Sequence, residues 1–424
     1  MTLSNEKIKT YTKILHEELK AAMGCTEPIA IAYCAAYAVK TLGRMPERFE
    51  VACSGNIIKN VKAVTVPQTG GLKGIEAAVL AGAVGGNADA ELEVLSGVTD
   101  ADIKKMHELM KEDIVKVKLL DTVHALHIVI DCFAGSDEVS VEIIDTHTGI
   151  GNVTKNGKVL HERKNTEVSD DLSERRELNL KDILTYGDEV NLDDVREVLE
   201  RQIKYNTAIS DEGLANSWGA CVGQVMMDDS GKTDRTRIVA RAAAGSDARM
   251  NGCAMPVVIN SGSGNQGMTV SLPVIEYAAI KKIPHDKLLR GLCVSNLTAI
   301  HQKTDIGRLS AFCGAVSAAT GSAVGIAYLD GADYETIAQT ITNSLGTIGG
   351  MVCDGAKSSC ATKIVSALQC ALLGYDMAKQ HHGFMPGEGI VKPDVEQTIA
   401  SVGRMASKGM NGTDIEVLNI MIEN

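Results

Sequence analysis

Aromatic rings are scarce in this chain: one Trp, four Phe and nine Tyr amount to 3% of 424 residues. That scarcity removes the stacking platforms on which single-stranded nucleic acid is held. It also leaves a core to be filled by small and aliphatic side chains. A basic excess is lacking too. Lys and Arg number 42 against 54 Asp and Glu, a formal charge of −12, which argues against nucleic acid or an anionic membrane as main partner. Long apolar runs are missing: residues 29–39 are too few to span a bilayer, and residues 315–329 are broken by Gly and Ser. The first residues, Thr2-Leu3-Ser4-Asn5-Glu6-Lys7, do not follow the charged-then-apolar pattern of an export signal. Closely spaced cysteine pairs of the zinc type are absent. The expectation is a cytoplasmic protein with reduced thiols and no membrane span.

What the chain does have is eleven cysteines, 41 glycines and an ordinary 45% of hydrophobic residues. At roughly 100–200 residues per domain, its length suggests two or three domains. Residues 6–22 read as an amphipathic helix, with Ile8, Tyr11, Ile14, Leu15 and Leu19 on one face. After Gly24-Cys25-Thr26-Glu27-Pro28 an almost wholly apolar helix runs from 28 to 42, with Thr26 as its cap. Strands are expected at 51–54, 61–66, 115–120, 125–132 and 139–146, with helices at 72–85 and 101–112. The charged stretch 169–193 reads as a connector, and nearly everything after it as helix. The fold class is α+β: a mainly helical domain from residues 1–45 and 180–424, with an inserted α/β sandwich-like module, linker included, at 46–179.

Three groups of residues carry possible chemistry. Residues 262–267, Gly-Ser-Gly-Asn-Gln-Gly, match G-x-G-x-x-G after a short strand at 256–260. Thr269, Val270 and Pro273 make a poor helix opening, and no strand precedes Asp286, so a dinucleotide fold does not fit. A plain turn remains open beside a nest of backbone amides for a carboxylate, assisted by Ser263 and Asn265. Cys353 and Cys360 bracket a loop that runs into a helix, with Lys357 between them. Spacing alone leaves an iron–sulfur site and plain packing both open. Lys357 and Lys363 read as solvated helix charges, and His301 as a neighbour of Cys313.

Residues 24–28, Ser246-Asp247-Ala248-Arg249-Met250, residues 262–267, Ala311-Phe312-Cys313-Gly314-Ala315 and Cys353-Asp354-Gly355-Ala356-Lys357 with Cys360 together resemble the L-cysteine desulfidase family. The resemblance holds in order over nearly the whole chain. The later segments are similar, more distantly, to the α-chain region of iron–sulfur L-serine dehydratases, a likeness expected to stay within the helical part.

The resemblance implies a 4Fe-4S cluster held by Cys313, Cys353 and Cys360, with one iron not ligated by cysteine. It implies elimination from L-cysteine to hydrogen sulfide, ammonia and pyruvate. Dehydratases can cap the fourth iron with a C-terminal cysteine; this chain ends Ile422-Glu423-Asn424, which leaves that position to water, sulfide, substrate or Cys25. Cys25 is the candidate general base, because a helix N-terminus lowers a thiol's pKa; simple packing between helices is the other reading. Arg249, Ser263, Asn265 and Gln266 are the candidate substrate clamp, with a cap and salt bridge between Asp247 and Arg249 as the alternative. L-Serine as substrate, or a non-catalytic iron–sulfur sensor, are rival functions. By analogy with dehydratases the inserted module is a regulatory or dimer-forming unit, which leaves a homo-oligomer open.

Overall fold

The apolar run after Cys25 forms the helix Thr26–Leu42 in the computed structural model, which describes residues 2–163, 172–229, 233–307 and 309–423. Its apolar character all round is matched by burial all round: Ile29, Ala30, Ile31, Ala32 and Cys34 are fully inaccessible. Each buried Ile contributes roughly 1.5–3 kcal/mol. One side of this helix meets the helix Gly74–Gly85, so closely that a Cβ on Gly82 would lie 2.0 Å from the Ala32 carbonyl oxygen. Another side lies on a six-stranded sheet, where the Cys34 thiol donates to the Val141 carbonyl at 3.4 Å.

Eight strands occur among the described residues. A short antiparallel pair joins β1 (Ala21–Met23) to β8 (Pro256–Val258). The large sheet has β2 (Arg48–Cys53), β3 (Val115–Leu119), β4 (His127–Ala134), β5 (Asp137–Ile144), β6 (Ile150–Lys155) and β7 (Lys158–His161) in the order β3-β2-β4-β5-β6-β7. Only the β2–β3 pair is parallel, and the helices between them make the crossover. Along β4 and β5 burial alternates residue by residue, so one face packs and the other is wet.

Several expectations are corrected. Residues 61–66 are not a strand: the chain forms the helix Gly55–Val61, and Val64 and Val66 are buried in the turn after it. Their β-branched side chains are satisfied by burial without a ladder. The stretch 169–193 is more than a connector. Residues 169–171 lie outside the described residues, but the remainder includes the helix Leu180–Glu189, with Leu180, Ile183 and Tyr186 fully buried. Its acids face outward at helical spacing, which disguised the apolar stripe. Residues 264 onward do open a helix, Gly264–Lys281, which runs through Pro273. Capping by Ser263 and burial on every side outweigh the one backbone bond that proline removes.

Two large hydrophobic cores result among the described residues, beside a small cluster of Val270, Ala299 and Ala318. One joins the helix Thr26–Leu42 to the sheet and its crossover helices; the other fills the helical remainder around His285–Thr304 and Ala315–Leu329. The helix Thr26–Leu42, grouped by sequence with the helical part, therefore sits in the sheet's core, because it covers the sheet's apolar face. Among the described residues no helix is long and apolar enough to cross a membrane.

Candidate functional site

Two segments distant in sequence meet at a single antiparallel bridge, Phe312 to Val352. The Cys353 N–H donates to the Ala311 carbonyl at 2.6 Å and the Cys313 N–H to the Met351 carbonyl at 2.9 Å. That pairing sets two cysteines side by side, and the Cys313 thiol donates to the Cys353 sulfur. The bond holds Cys353 below the ordinary thiol range, helped by Lys59 and Lys303 against the opposing effect of burial. The donor, Cys313, is pushed far up by the same bond and then by burial. Cys360 heads the helix Cys360–Lys379, and burial raises its thiol. All three line one cavity of about 110 Å³.

Cations surround these sulfurs. Lys59 is 2% exposed and Lys303 5% exposed. Burial lowers the Lys303 amine to about 8, with the sulfurs of Cys353 and Cys313 resisting the fall. Lys363 lines the cavity, donates to the Val352 carbonyl at 2.8 Å and pairs with Asp354, so it is not a solvated helix charge. Lys357 pairs with Asp354 at 2.5 Å. His301 turns away from the cavity to bond Glu396 at 2.6 Å.

The opposite wall is the start of the helix Gly264–Lys281. The Ser263 hydroxyl caps it by accepting from the Gln266 N–H. Arg249 is buried at the end of the helix Asp234–Met250; its Nε donates to the Gly24 carbonyl at 3.0 Å and its Nη1 to Asn265 Oδ1 at 3.2 Å. A Cβ on Gly264 would fall 2.4 Å from that Nε, so only glycine lets the guanidinium lie against the helix start. Asp247 does not pair with Arg249. It accepts from the Gly223 N–H at 3.0 Å, at the start of the helix Val222–Asp229. Arg249, Ser263, Asn265 and Gln266 all line the cavity that holds the three cysteines.

Cys25 lines it too, at the N-cap of the helix Thr26–Leu42, where Thr26 had been expected. Its thiol donates to Glu27 Oε2 at 3.2 Å. Burial first, then the Glu27 charge, push it well above the ordinary thiol range. A helix terminus is worth at most ~2 kcal/mol, whereas full burial shifts a thiol by several pKa units. In the free chain Cys25 is therefore a thiol, contrary to the lowered pKa expected from the helix end.

Sequence reasoning missed Glu27, Asn60 and Lys303, all of which line the cavity. Glu27 stands inside the Gly-Cys-Thr-Glu-Pro motif. Lys303, a cation ending a largely apolar helix two residues after His301, was the only signal for itself.

Among the described residues, no three His, Cys, Asp or Glu side chains gather as one metal ion requires. Ligands of one ion share a centre about 2.3 Å from each sulfur. Cysteines of an iron–sulfur cluster bind separate irons and share no such centre. The donor set of three thiols fits such a cluster, and buried Lys59 and Lys303 supply the positive charge that an anionic group there would need.

Residues 89–419 match the serine dehydratase alpha chain family. The match begins inside the inserted module, so the likeness is not confined to the helical part. UPF0597 proteins are also similar. One from Lachnoclostridium phytofermentans is 48% identical over 98% of this chain and 99% of its own. One from Desulfitobacterium hafniense is 48% identical over 98% and 96%, and one from Finegoldia magna 48% over 98% and 100%.

Proposed function

The chain belongs to the serine dehydratase alpha chain family, and from that premise we propose that it is an iron–sulfur lyase of L-cysteine, a desulfidase. Membership supports the lyase class. The observation that carries the finer reading is one cavity where three thiols face a buried arginine and a capped helix N-terminus. Cys313, Cys353 and Cys360 would hold a 4Fe-4S cluster. When bound, that group supplies an electrophilic metal for the departing sulfur.

The remaining work falls to side chains. Arg249, the free N–H groups at the start of the helix Gly264–Lys281, Ser263, Asn265 and Gln266 hold the α-carboxylate. Cys25, once its proton has passed to solvent, takes the Cα proton. The Cα–H electrons form the Cα–Cβ double bond as the Cβ–S bond breaks and sulfide leaves. The enamine product tautomerises and is hydrolysed, so cysteine and one water give pyruvate, ammonia and hydrogen sulfide.

L-Serine is the second substrate reading, favoured by the family's description. Anaerobically purified protein should contain iron and acid-labile sulfide and release sulfide from L-cysteine faster than it forms pyruvate from L-serine. Cluster-loaded protein inert on cysteine would refute the desulfidase assignment.

A further inference from the structure

Glu27 is the one acidic side chain among the described residues that line the cavity. It is 9% exposed and forms no ion pair with any described residue. Its hydrogen bonds come from neutral donors: the Cys25 thiol at 3.2 Å, the Thr26 hydroxyl at 3.0 Å, Asn60 Nδ2 at 3.1 Å and its own backbone N–H. None of these donors carries a charge, so the carboxylate has no cation in hydrogen-bond contact. A buried carboxylate with no cation in hydrogen-bond contact is costly, and such groups cluster at functional sites.

The arginine that would neutralise it is present but does not reach it. Against burial, the charge of the buried His147 and, more weakly, that of Arg249 favour the ionised Glu27. Yet the guanidinium is turned to Gly24 and Asn265. A buried cation and a buried anion thus line the same small cavity, sensing one another without pairing. A ligand carrying both charges would satisfy both walls at once.

Resting on the amino-acid site proposed above, we propose that Glu27 binds the substrate's α-ammonium group through its carboxylate charge and so restricts the cavity to zwitterionic α-amino acids. Arg249 and the helix start then take the carboxylate, and the Cβ substituent points toward the three cysteines. Molecules that keep the carboxylate and lack the ammonium, such as thiol acids or hydroxy acids, lose one of the two anchors.

Binding of L-alanine, propanoate and N-acetyl-L-alanine to anaerobically purified, cluster-loaded protein tests this without turnover, by calorimetry or ligand-observed NMR. Wild-type protein should prefer L-alanine over propanoate by roughly 10- to 100-fold, the range of a hydrogen bond to a charged group. N-acetyl-L-alanine should bind no better than propanoate. Glu27→Gln should bring the preference below roughly threefold while leaving propanoate affinity unchanged, and Thr26→Val should keep the preference. A Glu27→Gln protein that retains the preference, or loses both ligands equally, overturns the assignment. Should that variant not fold, the wild-type ligand series still decides: equal binding of L-alanine and propanoate overturns it. If L-alanine binds in the expected pattern while L-cysteine yields no sulfide, the desulfidase reading fails and the ammonium anchor stands.

Discussion

Asp247 is fully buried, its Oδ1 has no hydrogen-bond partner, and burial lifts its carboxyl to about 6. The folded pKa lies above the ordinary value of 3.8, so the folded chain binds the extra proton. Stability from this group is full below about pH 4 and is lost as pH rises through about 6. Asp247→Asn should therefore gain on the wild type as pH climbs from 4 to 7, by on the order of 1–3 kcal/mol. Chemical denaturation at several pH values checks it; a pH-independent difference would contradict it. Replacing Cys313, Cys353 or Cys360 by Ser should each abolish or strongly deplete bound iron, measured as iron and sulfide per chain. Cys34→Ser, deep against Val141, should cost stability and spare iron content. At this scale the sequence was readable where side chains have specific chemistry. The proposed clamp and all three proposed ligands share one cavity. It was unreadable where burial sets the behaviour: the protonated Cys25, the Glu27 carboxylate held by neutral donors and the depressed Lys303 have ordinary identities and extraordinary surroundings.

Elements were legible in proportion to the clarity of their hydrophobic period. The uninterrupted apolar run became Thr26–Leu42, and the alternation in β4 and β5 became a half-buried sheet. The hairpin of β6 and β7 was missed because β7 is exposed along its whole length and carries no period. The helix start at Gly264 was misjudged because glycine, threonine and proline all argue locally against helix. What overrides them is the Ser263 cap and burial along the helix, and glycine is needed at 264 because Arg249 occupies the space a side chain would take. Gly264→Ala should displace the guanidinium at a cost of about 1–3 kcal/mol in stability. The KM for L-cysteine should rise roughly tenfold or more, the loss of one charge-assisted hydrogen bond, with a smaller change in kcat. Sulfide-release kinetics separate the two. An unchanged KM would mean that Arg249 does not meet the substrate.

Across the whole molecule, the cavity lies where the two cores abut. Cys25 comes from the sheet side, and Phe312 and Cys313 from the helical side. The last helix, Asn411–Ile422, returns to the sheet side, where Asp414 pairs with buried Lys59 and Lys62 donates to the Met421 carbonyl. The halves are thus held together around buried positive charge. Without an anionic group between them, Lys303 is a buried cation facing neutral or partly neutral thiols, an arrangement that opposes folding. With such a group bound, the same cation becomes favourable, and binding stabilises the fold through mass action. Lys303→Met should therefore act with opposite sign in the two states. In iron-free protein it should raise stability by about 1–4 kcal/mol, as when a buried charge gives way to a hydrophobic residue. In anaerobic cluster-loaded protein it should lower the stabilisation that loading confers. Denaturant unfolding of the four species, wild type and variant with and without iron, gives the coupling directly. A coupling near zero would mean that Lys303 does not face the cluster's charge, and the three cysteines would then need another source of compensation.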